Sequence, residues 1–477
     1  MLAGCGSSEP KPLPPIELTV GAMALPHNDM STALTLATLD MNNALAAVNA
    51  AQKGAWRKPV TFAVETRDVV SNEQQAHDVM SDYRAALAKV VVTEASNSSI
   101  GANKWNYEEI AAGKTDMIPL VSYTATSVSL NNPAATDPDT IRQAALVDAG
   151  DWFFRTCQAN DVLAAVRLGY VFHRGAAASG DVNGDGVVKI VWIGISDPST
   201  QSVVAADRNA VTAYANDPAN AAPPLVTRNV SFDYPASPDT FDYSAIIADA
   251  LSTSDGHAPD LIVDKTLANV AIPLIKAYKA TATASPAVPI LEDGSFRRNP
   301  MLTGLGAAGD GQLGVSSIAY ENSVAGARFA AAQKGLTGWQ PAAFEASAYD
   351  AMIMAMLAVV KASQQVDDPL TQVTPAMVRD NLRTLDVPAT RDPNRVVVTG
   401  GADALAEAIQ AIIANPGVNL NYDGAGGPVD FDAAGNVASR AVAWGIQGGQ
   451  FVEQVFYDCV TSPACPQAPR DPGLTPR

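Results

Sequence analysis

At 477 residues, with 47% hydrophobic and 17% charged residues, the chain is too long for one ordinary core and too apolar to be disordered. A formal charge of −18, with no basic cluster beyond the Arg297–Arg298 pair, excludes a nucleic-acid footprint. The same charge repels anionic membrane surfaces, and the longest apolar helical run, Ala351–Val360, is about half the roughly 20 residues a bilayer span requires.

In chain order, the first specific signal is Leu2-Ala3-Gly4-Cys5. It resembles a bacterial lipobox, in which the peptidase cuts before a cysteine whose thiol takes the lipid. Cys5 is the expected attachment point, and Gly6–Pro15 is a polar, proline-rich tether. A lipobox follows a basic and an apolar stretch. Only Met1 stands before Leu2, so the reading expects a start site upstream.

From Ile16 the pattern alternates strands and helices, which argues for parallel sheets with crossover helices. The spacing predicts strands at Ile16–Ala22, Val60–Val64, Lys89–Thr93 and Met117–Val121. Helices are expected at Thr32–Ala51, Asn72–Leu87 and Gly101–Ala112. A second series starts near Asp161, with strands at Val187–Ile195, Leu225–Val230, Leu261–Val263 and Val288–Leu291. A late strand at Gln312–Ser316 leads to a long helix, Pro341–Ala362. Short strands follow around Gly427–Phe431, Ala441–Gln447 and Phe451–Tyr457.

Four stretches carry a family resemblance. They are the opening strand and helix through "VNAAQKGAWRKPVTFAVETRD"; Val90–Asn131, with "ASNSS" and "IPLVSYTATSVSL"; "WFFRTCQANDVLAAV"; and "FEASAYDAMIMAMLAVVKA" with "YDGAGGPVDFDAAGNVASRAV". Together they resemble the type I periplasmic solute-binding proteins, in the leucine/isoleucine/valine-binding group of ABC-transporter receptors. The resemblance implies an α/β fold of two Rossmann-like lobes with parallel central sheets joined by a three-segment hinge. Residues 16–158 with 315–365 are expected to form the first lobe, and 159–314 with 366–458 the second. Residues 1–15 are the tether and 459–477 a tail. Hinge segments are expected near Asp151–Ala159, Gly311–Ser317 and Ala362–Thr374.

The implied function is binding, not catalysis, and no cofactor is implied. The expected ligand is a small polar solute, an amino acid or a related compound, held in the interlobe cleft. The implied partners are a membrane permease of an ABC transporter and, through a lipid anchor on Cys5, a bacterial membrane, with a periplasmic or extracytoplasmic location. A ligand-sensing receptor of the same fold is the alternative, since fold alone does not give function.

A ligand carboxylate suits backbone N–H groups and hydroxyls at a helix N-terminus. Ala95–Ser99 lies between a strand and a helix, and the resemblance gives Ser99 or Ser98 that role. The next strand end, with Thr124, Ala125 and Thr126, matches the family's ligand-facing loop. For an ammonium group, Glu292 or Asp293 stands at the matching second-lobe turn. The loop Asp264-Lys265-Thr266 lacks the aromatic that the family places there.

Other motifs point elsewhere. Asp181–Gly186 has the opening of a calcium loop, but its twelfth place is Trp192, and a polar turn is expected. The glycines Gly304, Gly306 and Gly309 fit a dinucleotide fingerprint by letter but follow no strand, and read as a loop. The four histidines show no metal spacing. Cys157 reads as a buried thiol. Cys459 and Cys465 are close enough to pair in an oxidising compartment, or to remain as two thiols.

Overall fold

Strand β1 (Ile16–Met23) leads into α1 (Asp29–Gln52), and β2 (Val60–Arg67), α2 (Glu73–Ala85), β3 (Val91–Thr93), α3 (Ser96–Ala111), β4 (Leu120–Ser122), α4 (Ile141–Val147) and β5 (Phe153–Arg155) follow. The computed structural model describes residues 11–458 except 25–28, 70, 116, 132–139, 148–151, 173–179, 253–256, 282–287, 318, 319, 321, 389, 438 and 439. Cys5, Cys459 and Cys465 therefore lie outside the described residues.

The five strands pair in parallel in the order β2-β1-β3-β4-β5. Side chains alternate between the two faces of such a sheet. Val90 and Val92 pack with α1, while Val91 packs with Met80 and Tyr83 of α2 and Trp105 of α3. Asn72 starts α2 by accepting the Gln75 N–H at 2.9 Å. Gly101 lets α3 lie directly on α2, because a Cβ there would meet the Glu73 carbonyl oxygen at 1.9 Å.

The chain then crosses to a second lobe of the same plan. Its elements are α5 (Asn160–Phe172), β6 (Val188–Ile195), α6 (Pro198–Asn216), β7 (Leu225–Phe232), α7 (Ser244–Leu251), β8 (Leu261–Asp264), α8 (Ala268–Thr281), β9 (Ile290–Glu292), α9 (Asn299–Leu305) and β10 (Leu313–Ser316). The order β7-β6-β8-β9-β10 repeats that of the first sheet. Strand β6 is covered on both faces and buried at every position, which is why it reads as a nearly unbroken apolar run.

The return path differs from the expected boundaries. After β10 come α10 (Val324–Thr337), α11 (Glu345–Gln364), α12 (Pro369–Gln372), α13 (Pro375–Leu382), β11 (Val396–Thr399), α14 (Ala402–Ala414), β12 (Leu420–Gly424) and β13 (Gly427–Pro428). The apolar sides of α13 and α14, with Val378, Leu382, Leu405, Ile409 and Ile412, join the first lobe's core. Residues 366–437 thus pack with the first lobe and not with the second, because their apolar faces cover α11 and α1. Strands β11, β12 and β13 form a small separate sheet beside this core. Helix α11 is long and apolar enough to cross a membrane, but its apolar stretch is wholly enclosed by protein. Here it is the central core helix of the first lobe.

Only the last hairpin, β14 (Arg440–Gln447) and β15 (Gln450–Asp458), belongs to the second lobe. It adds antiparallel strands beyond β10. Trp444 lies across from Gly314, where any Cβ would meet the indole at 2.1 Å. The chain therefore leaves the first lobe after Val437 and enters the second at Arg440, and not at Ala362–Thr374. The first two crossovers follow β5 and β10, within the expected segments.

Candidate ligand-binding cleft

In an open parallel sheet, the strand order reverses at a switch point, and a crevice opens there at the carboxyl ends of the strands. The switch points here lie between β1 and β3 and between β6 and β8. The turn after β3 in one lobe and the turn after β8 in the other therefore lie at these switch points, with the turn after β9 one strand further along the second sheet.

Helix α3 begins at Ser96, five residues earlier than the sequence pattern indicates, so the serines form its first turn. Ala95 precedes it with φ of 47°, a left-handed conformation costly for a residue with a Cβ. A web of hydrogen bonds holds that turn. The Ala95 N–H donates to Thr124 Oγ1 at 2.7 Å, and the Ser127 N–H to Ser96 Oγ at 3.1 Å. Ser99 Oγ lies 2.9 Å from Thr93 Oγ1 and donates within reach of the Ala95 carbonyl (2.9 Å) and Ser122 Oγ (3.1 Å). Its hydrogen-bonding capacity is used inside the lobe. Ser98 differs: its hydroxyl is enclosed and has no partner among the described residues.

The loop after β4 is tied to the crossover. Ala125 donates its N–H to Ser122 Oγ at 3.2 Å, and its carbonyl accepts from Arg155 Nη1 at 2.8 Å. The Thr126 carbonyl accepts the Asn160 N–H at 2.7 Å, across the boundary between the lobes. Arg155 Nε donates to Asn436 Oδ1 at 2.6 Å. Two of the stretches that carry the family resemblance thus meet through this buried guanidinium. Ser98, Ser99, Thr124, Ala125 and Thr126 are brought together as one cluster.

Glu292 and Asp293 do not share partners: Glu292 ends β9, and Asp293 caps the short 3₁₀ turn that follows it. Glu292 shares the face of Ile290, which packs under α8 and α9. Its Oε1 accepts from Gln312 Nε2 at 3.0 Å, and burial holds its carboxyl well above the usual range. Asp293 faces α5 and α6, where Arg167 Nη2 is 2.7 Å from Oδ1 and Lys265 Nζ is 3.0 Å from Oδ2. The same two cations reach Asp207, Arg167 at 2.7 Å and Lys265 at 2.7 Å. Burial pushes the Asp293 carboxyl up, but Lys265 and Arg167 outweigh it and hold it down at about 2. This four-membered ring of charges escaped the sequence reading, since its members come from α5, α6 and the turns after β8 and β9. A lone arginine on the apolar face of α5 was the available signal. Arg298 was also missed. Its Nε is enclosed without a partner among the described residues, and its charge reaches Tyr123 of the other lobe.

Solved structures with this architecture span most of both chains. A branched-chain amino acid ABC transporter protein of Thermus thermophilus with bound valine matches with a TM-score of 0.60 at 14% identity, over 93% of this chain and 96% of that one. A leucine-binding protein of Thermotoga maritima matches with a TM-score of 0.59 at 14% identity, over 92% and 98%. A solute-binding protein of an ABC transporter from R. palustris, in complex with benzoate, gives 0.57 at 16% identity, over 92% and 96%. The chain has the type I periplasmic binding-protein fold. No family model and no curated protein matches it in sequence.

Within this binding-protein fold the remaining motifs are structural. In the Asp181–Gly186 turn the Asp181 carboxylate accepts the N–H groups of Gly184 (2.8 Å) and Gly186 (2.8 Å), and Asp185 pairs with Lys189. It is the polar turn expected. Gly304–Gly309 closes α9 and forms a short 3₁₀ turn, following a helix and not a strand. Cys157 is fully enclosed at the first crossover, and burial pushes its thiol up to about 12.

Several buried carboxyls give the binding-protein fold a pH dependence. Burial pushes Asp264 up to about 6, Asp386 to about 6 and Asp350 to about 7, against 3.8 for an ordinary aspartate. A raised carboxyl makes the folded state hold a proton that the unfolded chain has released. That contribution is complete below about pH 4 and is lost as pH rises through 6–7. Asp293, held low, loses its contribution only near pH 2, outside that window. The melting temperature is therefore expected to be higher at pH 5 than at pH 8, each group adding on the order of 1 kcal/mol or more. Calorimetry across that range checks it; a higher melting point at pH 8 contradicts it.

Proposed function

We propose that this chain is the extracytoplasmic substrate-binding protein of an ABC transporter, which closes its two lobes around a small carboxylate-bearing solute, an amino acid or a related compound, and presents it to a membrane permease. The reading includes a lipid anchor on Cys5. The observation that carries it is the first turn of α3, which ends at the switch point of the first sheet with no side-chain cap and with the Ser98 hydroxyl enclosed and unpartnered. Exposed N–H groups at a helix start attract an anion, and an enclosed hydroxyl without a partner gains most from one. The structural neighbours named above support the same reading: two are proteins of ABC transporters, one with bound valine and one in complex with benzoate, and the third is a leucine-binding protein.

Closure needs a ligand that binds the closed state better than the open one. Isothermal titration against a panel of amino acids and small organic acids is the test, and heat with at least one member is the expected result. Ser98→Ala should weaken that ligand by about 1.5–3 kcal/mol, roughly 10- to 150-fold, with the unfolding midpoint unchanged. Ser99→Ala should do the reverse, costing stability through the hydroxyl web. A panel that gives no heat and no melting shift defeats the proposal. For the anchor, mass spectrometry of the membrane-borne protein should find a diacylglyceryl group on Cys5.

A further inference from the structure

Strands β8 and β9 end on neighbouring carboxyls. Asp264 and Glu292 are register partners in this parallel pair, so their side chains leave the sheet on the same face, from backbones about 5 Å apart. Both are wholly buried, on the face where Ile262 and Ile290 pack with α7, α8 and α9. Each carboxyl has one oxygen engaged. Asp264 Oδ1 accepts the Thr266 N–H at 2.8 Å, and Glu292 Oε1 accepts from Gln312 Nε2 at 3.0 Å. The other two oxygens, Asp264 Oδ2 and Glu292 Oε2, are enclosed and have no partner among the described residues.

The described groups around the pair do not balance two negative charges. Lys265 follows Asp264, but its Nζ is turned to Asp207 and Asp293, among α5 and α6. Lys279 of α8 reaches Glu292 only through space, since its Nζ donates to the Asp310 carbonyl at 2.9 Å. Burial keeps Tyr243, ahead of α7, and Tyr278 of α8 as neutral phenols. Helix α9 contributes the apolar Met301, Leu302 and Leu305. Arg297, just before it, is paired with Glu453 at 2.7 Å. Gly314 and Trp444, next along the same row of the sheet, carry no charge. Asp293 adds a further negative charge near both carboxyls. Two ionised carboxylates in such a place repel each other, and each also loses its hydration.

We infer that Asp264 and Glu292 share one proton, held between Oδ2 and Oε2, so that the second lobe keeps a proton in its core and the pair carries a single negative charge. The proton is taken from solvent as the lobe folds. One bond then satisfies both orphan oxygens, one as donor and the other as acceptor. The remaining charge is the one that Lys279 faces. Burial holds the Glu292 carboxyl well above the usual range and pushes Asp264 up to about 6, which agrees with a proton retained at neutral pH. The turns leaving β8 and β9 lie at and beside the switch point of the second sheet. The pair thus makes the second lobe's side of the cleft sensitive to alkaline pH, whichever solute the cleft takes.

Glu292→Gln tests it. The glutamine carbonyl can still accept from Gln312, and its amide can donate to Asp264 Oδ2 where the shared proton stood. A raised carboxyl stabilises the folded state fully below its unfolded pKa and loses that contribution as pH rises through its folded one. Wild type has this proton to lose and the variant does not. From pH 5 to pH 9 the melting temperature of Glu292→Gln, relative to wild type, is expected to rise by about 2–4 °C or more. Asp264→Asn, the mirror change, is expected to behave alike. The infrared difference spectrum, wild type minus Glu292→Gln at pH 7, should contain the carbonyl stretch of one protonated carboxyl. A difference in melting temperature that is the same at both pH values overturns the inference, as does a difference spectrum without that band. Failure of both neutral variants to fold overturns it too, since it would mean that both charges are required. Neither readout needs a solute, so these outcomes leave the binding reading untouched.

Discussion

Asp207→Asn is expected to destabilise the second lobe by about 3–5 kcal/mol, the loss typical when one partner of a buried ion pair is removed. The asparagine keeps the shape but leaves Arg167 and Lys265 facing Asp293 alone, with one uncompensated positive charge among side chains that are 1–3% exposed. The Asn160 amide also loses a charged acceptor at 3.2 Å. The double variant Arg167→Met with Asp207→Leu removes one charge of each sign and keeps the Lys265–Asp293 pair at 3.0 Å. It should recover most of the loss, since apolar groups of similar volume often replace buried ion pairs without penalty. Denaturant unfolding of the three proteins makes the comparison. A wild-type midpoint in Asp207→Asn would falsify the account of the ring as a buried, fully compensated unit.

The second large effect lies in the first lobe. Asp350, in the second turn of α11, accepts from the Tyr422 hydroxyl at 2.8 Å, the Ala425 N–H at 2.7 Å and the Gly426 N–H at 2.8 Å. It thereby pins the turn between β12 and β13 to the core helix. Gly424 is required beside it, because a Cβ there would lie 2.5 Å from the carboxylate. Asp350→Ala orphans three buried donors at once, and each such group costs about 1–3 kcal/mol. A loss of about 3–5 kcal/mol is expected, read as a lowered denaturant midpoint. Asp350→Asn, which keeps an acceptor for the Tyr422 hydroxyl and Ala425, should lose distinctly less. Equal losses in the two variants would assign the effect to volume and not to hydrogen bonding.

Much of the architecture was legible because burial on both faces leaves long apolar runs. Strand β6 and helix α11 stand out for that reason, and the alternation of strands and helices dictates parallel sheets. The destination of residues 366–437 was not legible. The apolar stripes of α13 and α14, with Leu382, Leu405 and Ile409, state that each helix has a buried side and not which lobe buries it. The start of α3 was misplaced for a different reason. Serine and asparagine are poor helix formers and good caps, yet Ser96 and Ser99 are drawn into the helix by bonds to Ser127 on the next loop and Ser122 at the end of β4. At the site, the serine cluster could be located from its place after a strand. Asp293 could be named but not weighed, because its partners Arg167 and Lys265 are 126 and 28 residues away in the chain.

The closing hairpin sets the order in which the protein can assemble. Strand β10 has its outer edge covered only by β14, and the hollow over Gly314 is filled only by Trp444. Both come from residues 440–458, more than 120 residues after the strand they complete. The first lobe likewise waits for α11, its central helix, and for α13 and α14. A nascent chain halted near residue 320 therefore has two sheets begun and neither finished, with a bare strand edge and open apolar surface. Neither lobe can therefore close its core until chain well past residue 320 is available.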